Sequence, residues 1–351
     1  MTLISILVFI LILGVIVLVH EFGHFIWAKK FGVHIYEFSI GMGPVLFTHE
    51  GKDKIKYRIR ALPIGGFVQM AGEVYEDDEK IPKEKFMCNK PWHQRIIIII
   101  AGVINNFILA LVLLFMYALI WGGPSNKPII TSVEKNYPMY KAGIRKNDVI
   151  VSINGKKAST WDKAQILLVL KDKDNTYDIK VKHKNGKYDT YSVKPKKIYD
   201  KELKMDRYVF GFTVKQKVNK GFISSIKFAF SKFVSVIETM WLTVASLFTG
   251  KLSLKNLSGP VGVYQVVNSG LSAGIQYLIY ITAFLSINVG FINILPFPAF
   301  DGGRAFFMLI EKVRRKPINS KIENTIHTIG FILLLVLMVL ITWQDILRLF
   351  K

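Results

Sequence analysis

Four long apolar runs constrain the fold of this chain more than any other feature. They cover residues 3–19, 96–121, 275–298 and 327–347 of a 351-residue sequence. A helix of about 20 apolar residues is long enough to cross the hydrocarbon core of a bilayer. The sequence therefore predicts a multi-span α-helical membrane protein with about four transmembrane helices embedded in the lipid bilayer.

The formal net charge of +22 would by itself suggest a nucleic-acid partner. The charges are unevenly placed: 12 basic and 10 acidic residues lie in 1–121, 23 and 10 in 122–220, and 12 and 5 in 221–351. Most of the excess thus belongs to a polar block between apolar ones, which indicates a domain inserted between membrane spans. We expect no nucleic-acid partner. Cys88 is the only cysteine, which excludes a disulfide-stapled module.

The first apolar run is followed, and not preceded, by basic residues. Lys29 and Lys30 are the first two in the chain. A cleavable signal peptide would begin with basic residues and end at a small-residue cleavage site, and neither pattern is present here. By the positive-inside rule we expect the N-terminus outside the cell and the C-terminal end of this span at the cytoplasmic face.

The polar block has the pattern of a small β-domain. Strands are predicted at residues 129–133, 149–153 and 177–182, with a helix at 161–170 between them. Asn154-Gly155 is one of two hairpin signals in the block. On these grounds we divide the chain into an N-terminal membrane part, a soluble domain with its linker, an amphipathic region and a C-terminal membrane part. These parts are residues 1–121, 122–220, 221–270 and 271–351.

Two further segments have less regular patterns. Residues 55–61 alternate between apolar and polar side chains, which predicts a strand, and Gly65-Gly66 is the expected turn before a return strand at 67–70. We expect this β-hairpin to associate with the membrane, and the acidic stretch 73–79 to be an exposed loop. Residues 222–250 are apolar but contain lysines and a glutamate, so they either span the membrane or lie along its surface.

The cytoplasmic end of the first span carries a metal-binding pattern. In a helix, His20 and His24 lie one turn apart on the same face, so that both imidazoles can reach one metal ion. Two imidazoles and a carboxylate suit zinc and leave a fourth position open. Glu21 is adjacent and is the predicted general base. Burying these polar side chains in a transmembrane helix would be costly without a function.

The third ligand is expected far downstream. Asp301 follows a long apolar span and is an otherwise unexplained carboxylate near the membrane. Pro296 and Pro298 precede it and interrupt the helix. Irregular backbone at membrane depth is tolerated where it faces protein or a water-filled cavity. A solvated Asp at a helix exit turn is the simpler alternative.

The two motifs together resemble the site-2 protease family of intramembrane zinc metalloproteases, and their order is similar to its bacterial branch, the regulator-of-sigma proteases. Five further segments are similar to family motifs: residues 41–44, 61–73, 101–107, 143–155 and 258–262. The segment 143–155 looks like part of a PDZ domain. Val103 and Phe300 depart from the usual proline and leucine, and a single PDZ domain is expected where some members have two.

The resemblance implies a function and partners. It implies one Zn²⁺ ion held by His20, His24 and Asp301, an extracytoplasmic PDZ domain, and a location in the bacterial inner membrane. The substrate would be the transmembrane segment of a single-pass protein, such as an anti-sigma factor, after an upstream site-1 protease has trimmed it. The PDZ domain would then act as a size filter. Clearance of remnant signal peptides and a non-catalytic scaffold are the alternatives; a transporter would need ionisable residues along several spans.

Substrate-binding residues are expected around the two motifs. The resemblance implies that Asn293 clamps the substrate backbone; a helix-capping Asn is the alternative. An unwound substrate segment could also add to a strand edge in the β-hairpin. Asn106 and Asn288 are equally compatible with hydrogen bonds between helices. The full set of candidates is Asn293, Pro296, Pro298, Gly65, Gly66, Asn106 and Asn288.

Topology gives an independent expectation. Because both ligand motifs lie at the C-terminal ends of their spans, those spans must be parallel and separated by an odd number of crossings. Residues 96–121 supply one crossing, so residues 222–250 are expected to lie along the outer membrane surface. The PDZ domain is then outside, the active site faces the cytoplasm, and the basic segment 304–321 is cytoplasmic, as the positive-inside rule prefers.

Overall fold

A computed structural model describes residues 3–73, 80–170, 175–200, 205–214, 216–252, 257–316 and 318–349. Most of the expected acidic loop at 73–79 lies outside these residues. The chain divides into two compact units, one formed by Met1–Leu113 with Ser258–Asp345 and the other by Leu114–Leu257 with Ile346–Lys351.

The first unit is mainly helical. Its helices are α1 (Leu3–Lys30), α2 (Trp92–Trp121, which continues into the second unit), α6 (Pro260–Ser272), α7 (Ile275–Ile294), α8 (Asp301–Arg314) and α9 (Ser320–Leu349). Its two strands are β1 (Ile35–Glu50) and β2 (Lys56–Met70). One apolar cluster joins α1, α6 and α7 through Ile16, Val267 and Ile281. A second cluster joins α1 to the strands and to α2.

Five helices in the described part of the chain are long and apolar enough to cross a membrane. Helices α1, α2 and α9 contain the expected runs 3–19, 96–121 and 327–347, which are confirmed as helices. The run 275–298 is helical only to Ile294, where α7 ends before Pro296. The fifth is α5 (Phe222–Phe248), whose mean hydropathy of 1.3 is the lowest of the five, compared with 3.2 for α1. The length and composition of these helices indicate a multi-pass membrane protein. The number of spans is five if α5 crosses the membrane and four if it does not.

The expected hairpin is wrong in its pairing and not in its reversal. Along residues 38–40 of β1, the partners in β2 run from Tyr57 to Ile59 on one side and from Val68 to Gly66 on the other, so the chain reverses between these stretches, which pair with β1 and not with each other. The first part of β1 lies between two stretches of β2, since Phe38 is opposite both Tyr57 and Val68. The ring of Phe38 packs on Phe25 of α1 at 5.1 Å. Burial of β1 against α1 thus decides the pairing, whereas a glycine pair predicts only a local turn.

The second unit contains the rest of the structure. Its helices are α3 (Pro138–Ala142), α4 (Trp161–Val169) and α5, and its strands are β3 (Gly123–Pro124), β4 (Ile130–Val133), β5 (Val149–Ile153), β6 (Lys156–Lys157), β7 (Tyr177–Lys182), β8 (Tyr188–Val193), β9 (Lys196–Asp200), β10 (Met205–Val209), β11 (Phe212–Val214) and β12 (Val218–Asn219). The largest sheet has the order β6-β5-β7-β8.

The strands expected at 149–153 and 177–182 and the helix near 161–170 are confirmed. Alternation explains β7, in which Tyr177, Ile179 and Val181 are buried and the residues between them are exposed. Their side chains form a core with Ile150 and Ile153 of β5. Leu242 and Leu247 of α5 pack against the same core, so that α5 belongs to this unit. The assignment of the unit as a PDZ domain stays a prediction.

Candidate metal centre

Helix α1 places His20 and His24 on one buried face. Close approach of α2 is possible because both helices carry glycine at the contact. A Cβ atom on Gly23 would lie 2.4 Å from the carbonyl oxygen of Ala101. A Cβ atom on Gly102 would lie 2.5 Å from Nε2 of His24. The two glycines therefore let α2 come close enough to enclose both imidazoles.

Helix α2 also orients the two rings. Nδ1 of His24 lies 2.8 Å from the carbonyl oxygen of Ile98. The carbonyl accepts a hydrogen bond from a protonated Nδ1, so that Nε2 keeps a free lone pair. The Asn106 amide lies 3.4 Å from Nδ1 of His20. Nδ2 faces this nitrogen, and Oδ1 of Asn106 is buried without a partner among the described residues. An amide turned by 180° would direct Oδ1 at Nδ1 and accept its proton, which is the tautomer that a metal on Nε2 requires.

Asp301 reaches the histidines from the first residue of α8. Its Oδ2 atom lies 3.0 Å from Nε2 of His20 and 3.5 Å from Nε2 of His24. The two Nε2 atoms lie 3.2 Å from each other. Three ligand atoms from two distant parts of the chain thus converge on one point.

This arrangement fits a tetrahedral zinc ion. Metal–ligand distances of about 2.0–2.2 Å imply spacings of roughly 3.3–3.6 Å between ligand atoms in a tetrahedral site, which the three observed distances approach. With Nδ1 of His24 protonated, no hydrogen on its Nε2 points at Asp301. Oδ2 of Asp301 is buried and has no hydrogen-bond partner among the described residues. Convergent lone pairs with an orphaned carboxylate oxygen are the donor set that a cation would stabilise.

Glu21 lies beside these ligands and contacts strand β2. Its Oε2 atom accepts a hydrogen bond of 3.2 Å from the backbone N–H of Val68. The N–H of Val68 therefore points at Glu21 and not at the opposite strand β1. Both residues line a cavity of about 180 Å³ together with His20, His24 and Asp301. The cavity thus contains the three ligand atoms, an oriented carboxylate and one edge of β2.

An ion pair lines the same cavity. Nη1 of Arg304, one turn after Asp301 in α8, pairs with Oε1 of Glu73, just beyond the end of β2. Burial lowers the pKa of the Arg304 guanidinium, but the adjacent Glu73 carboxylate outweighs it and holds that pKa above its usual range. The guanidinium stays positively charged and ties α8 to the end of β2.

The expected substrate-binding residues lie around the cavity and do not line it. Gly66 is buried, and a Cβ atom there would lie 3.9 Å from Cγ of Glu21; Gly65 precedes it on β2. Asn106 contacts His20 as described above. The remaining four lie on α7 or in the loop that follows it: Asn288, Asn293, Pro296 and Pro298. Oδ1 of Asn288 is buried without a partner in the described structure.

Three contributors to the site are not among the residues that the sequence singled out. They are Arg304, Glu73 and the backbone N–H of Val68. Arg304 could have been found, because it lies one helical turn from Asp301 and is the first basic residue after it. The Val68 contact has no signal in the sequence, since a backbone amide is independent of side-chain type.

Comparison with known proteins agrees with this geometry. The family model described as peptidase family M50 matches residues 8–337. A predicted zinc metalloprotease of Clostridium acetobutylicum is 36% identical over 346 residues, covering 99% of this chain and 98% of the relative. The regulator of sigma-W protease RasP of Bacillus subtilis is 33% identical over 423 aligned residues, covering 99% of both. A predicted zinc metalloprotease of Staphylococcus aureus strain N315 is 34% identical with the same coverage.

Proposed function

This chain belongs to peptidase family M50, and on that premise we propose that it is a zinc metalloprotease that hydrolyses peptide bonds within transmembrane helices. The observation that carries the proposal is the convergence of His20, His24 and Asp301 beside Glu21 at the end of an apolar helix. The names of the Staphylococcus and Clostridium relatives support zinc as the metal.

The metal-holding atoms are Nε2 of His20, Nε2 of His24 and Oδ2 of Asp301. When bound, zinc polarises the scissile carbonyl and lowers the pKa of the attacking water. The Ile98 carbonyl keeps His24 in the tautomer that presents Nε2, and the Asn106 amide would do the same for His20 with its oxygen facing Nδ1. Such outer-shell partners typically contribute about 10- to 100-fold in metal affinity.

Glu21 is the general base. The hydrogen bond from Val68 fixes Oε2, which leaves Oε1 to accept the proton of the attacking water and to pass it to the leaving amine. Because Arg304 pairs with Glu73, its charge adds little attraction for the Glu21 carboxylate. Glu21 therefore has a fixed orientation without a direct cationic partner that would reduce its basicity.

The substrate binds along the outer edge of β2. A transmembrane helix has all its amides paired internally, so it must unwind before its peptide bond can be attacked. Residues 66–70 pair with β1 on one side only, among the described strands, and Phe67, Val68 and Met70 line the cavity. An unwound segment can add to this edge as an extra strand. Gly65 and Gly66 lie at its start, and Asn293, Pro296 and Pro298 are the candidates for the facing contacts.

Helix α5 lies along the outer membrane surface. Its polar residues contact α4: Lys232 Nζ is 2.7 Å from Asp162 Oδ1, and Lys163 Nζ is 2.9 Å from Glu238 Oε2. Ion pairs at the bilayer centre would be costly, whereas an interfacial helix keeps them near water. The parity of the spans then gives an extracytoplasmic β-domain and a cytoplasmic active site. Labelling of Met240→Cys from outside and Ile318→Cys from inside, in a Cys88→Ser background, tests this topology.

The substrate class is a single-pass membrane protein that another protease has already trimmed. The Bacillus relative is named for regulation of sigma-W, which supports an anti-sigma factor in a bacterial inner membrane. A PDZ domain in residues 122–220 would exclude substrates whose outer domain is intact. If remnant signal peptides are cleaved equally well after trimming, clearance is the broader description of the activity.

Cleavage of a trimmed substrate in proteoliposomes tests the proposal. We expect Glu21→Gln to abolish cleavage and to retain zinc, because Glu21 is not a ligand. The matched control is Glu50→Gln, whose residue is exposed on β1 and should leave the rate unchanged. Undiminished cleavage by inserted Glu21→Gln would end the protease proposal, and with it the alternative of signal-peptide clearance. Full zinc binding by an unmodified chain that cleaves nothing would favour the scaffold.

A further inference from the structure

The loop between α7 and α8 has one backbone N–H group that depends on another helix. Pro296 and Pro298 have no N–H. The N–H groups of Leu295, Phe297 and Phe300 bond to carbonyl oxygens of Ile292, Leu295 and Phe297, within the loop or the end of α7. The N–H of Ala299 instead donates a 3.2 Å hydrogen bond to Nδ1 of His327 on α9.

The same residue has a strained backbone. Ala299 has φ of +95°, the largest positive φ of any non-glycine residue in the described part of the chain. A Cβ atom disfavours this region. Such a conformation persists only where surrounding contacts hold it. Ala299 also lines the cavity of the metal centre, two residues before Asp301.

Helix α9 holds the loop at two adjacent points. His327 and Gly330 are three residues apart and therefore lie on the same helical face. A Cβ atom on Gly330 would lie 2.5 Å from the carbonyl oxygen of Pro298. The absence of a side chain at Gly330 thus lets α9 contact the loop backbone directly, while His327 accepts from the next residue of the loop.

We propose that His327 is a positioning residue for the metal ligand Asp301. Together with Gly330 it forms a clamp, defined by these two residues, that keeps the strained turn at Ala299 and so directs the first residue of α8 at His20 and His24. The inference rests on the proposed metal site. Because Nδ1 accepts a hydrogen bond from a backbone N–H, the His327 ring acts as a neutral acceptor and not as a ligand or a proton donor to substrate.

Zinc retention by the purified full chain in detergent or nanodiscs tests the clamp. We expect His327→Ala to lose zinc to a competing chelator with an apparent affinity about 10-fold or more below that of the unmodified protein. His327→Asn should restore most of it, because Oδ1 of Asn can occupy the place of Nδ1 and accept the same hydrogen bond. Gly330→Ala should lower the affinity for zinc, because its Cβ atom would displace Pro298.

The matched control is Thr328→Val on the exposed face of α9. Thermal unfolding shows whether each variant is folded. If His327→Ala does not fold, His327→Asn and Gly330→Ala still test the inference. Equal zinc affinity in folded His327→Ala and Thr328→Val, or equal loss in His327→Ala and His327→Asn, would overturn the inference. If Asp301→Ala also leaves zinc binding unchanged, the proposed metal site fails instead.

Discussion

Nε2 of His20 lies 3.0 Å from Oδ2 of Asp301, although most of the chain separates the two residues. This contact joins α1 to α8 and unites the two motifs in one site. We expect Asp301→Asn to reduce zinc affinity by more than the roughly 10- to 100-fold typical of an outer-shell partner, because a neutral amide replaces the anionic ligand. Zinc content after dialysis against a chelator measures this. Retention at the level of the unmodified protein would contradict it.

Gly102 is predicted to be intolerant of any side chain. A Cβ atom at this position would lie 2.5 Å from Nε2 of His24 and 2.8 Å from Cε1 of His20, and both rings are buried. We therefore expect Gly102→Ala to displace the imidazoles, destabilise the protein by about 1–3 kcal/mol through overpacking, and abolish zinc binding and cleavage.

Gly14→Ala is the control for that substitution. Gly14 is also a transmembrane glycine, on α1, and a Cβ atom there would meet the carbonyl oxygen of Pro63 at 3.4 Å, which is ordinary contact. We expect normal zinc content in this variant. Zinc loss of equal size in Gly14→Ala would show that the effect reflects glycine in membrane helices generally.

Val68→Pro should separate the orientation of Glu21 from metal binding. Proline removes the N–H that bonds to Oε2 of Glu21, and its place on the outer edge of β2 spares the pairing with β1. Loss of about 1 kcal/mol from the hydrogen bond that orients Glu21 would lower kcat by about 5-fold. Unchanged zinc content is expected, because Val68 is not one of the residues proposed to hold the metal.

Val68→Ala is the matched variant, since it keeps the N–H and removes most of the side chain. Steady-state cleavage of one substrate by both variants measures the difference. The prediction requires a lower kcat for proline than for alanine. Equal rates for the two variants would assign any effect to the apolar side chain and remove the role of the backbone amide.

The Arg304–Glu73 pair is predicted to act as a unit. Arg304→Gln leaves the Glu73 carboxylate without its partner in the cavity that contains Glu21 and Asp301. We expect slower cleavage and a loss of about 2 kcal/mol in stability, since hydrogen bonds to charged groups contribute about 1.5–3 kcal/mol. The double variant Arg304→Gln with Glu73→Gln should recover part of this loss, because it removes the unpaired charge.

A double-mutant cycle of unfolding free energies measures the coupling. Arg314→Gln is the control, because Arg314 is exposed near the end of the same helix. Additive effects of the two single substitutions would show that the pair is not coupled. A loss of the same size in Arg314→Gln would indicate a general effect of charge on α8.

Features that repeat over a few residues could be predicted from the sequence. The apolar runs indicated helices because about 20 apolar residues suit the bilayer, and β7 was evident from its alternation of buried and exposed residues. His20 and His24 share a face in any helix, so their pairing needs no tertiary information. The pairing of residues 55–61 with 67–70 was predicted wrongly, because Phe38 of β1 is buried between these two stretches.

By itself, the sequence determined that this chain is a multi-span membrane protein with a two-histidine motif at the end of one apolar helix, because these properties follow from local composition and helical periodicity. Only the tertiary structure decided which backbone and side-chain groups complete the site. The Val68 amide reaches Glu21, Arg304 reaches Glu73, and His327 reaches Ala299. Each contact joins segments far apart in the chain, so its geometry depends on how the helices pack and not on the residues next to it.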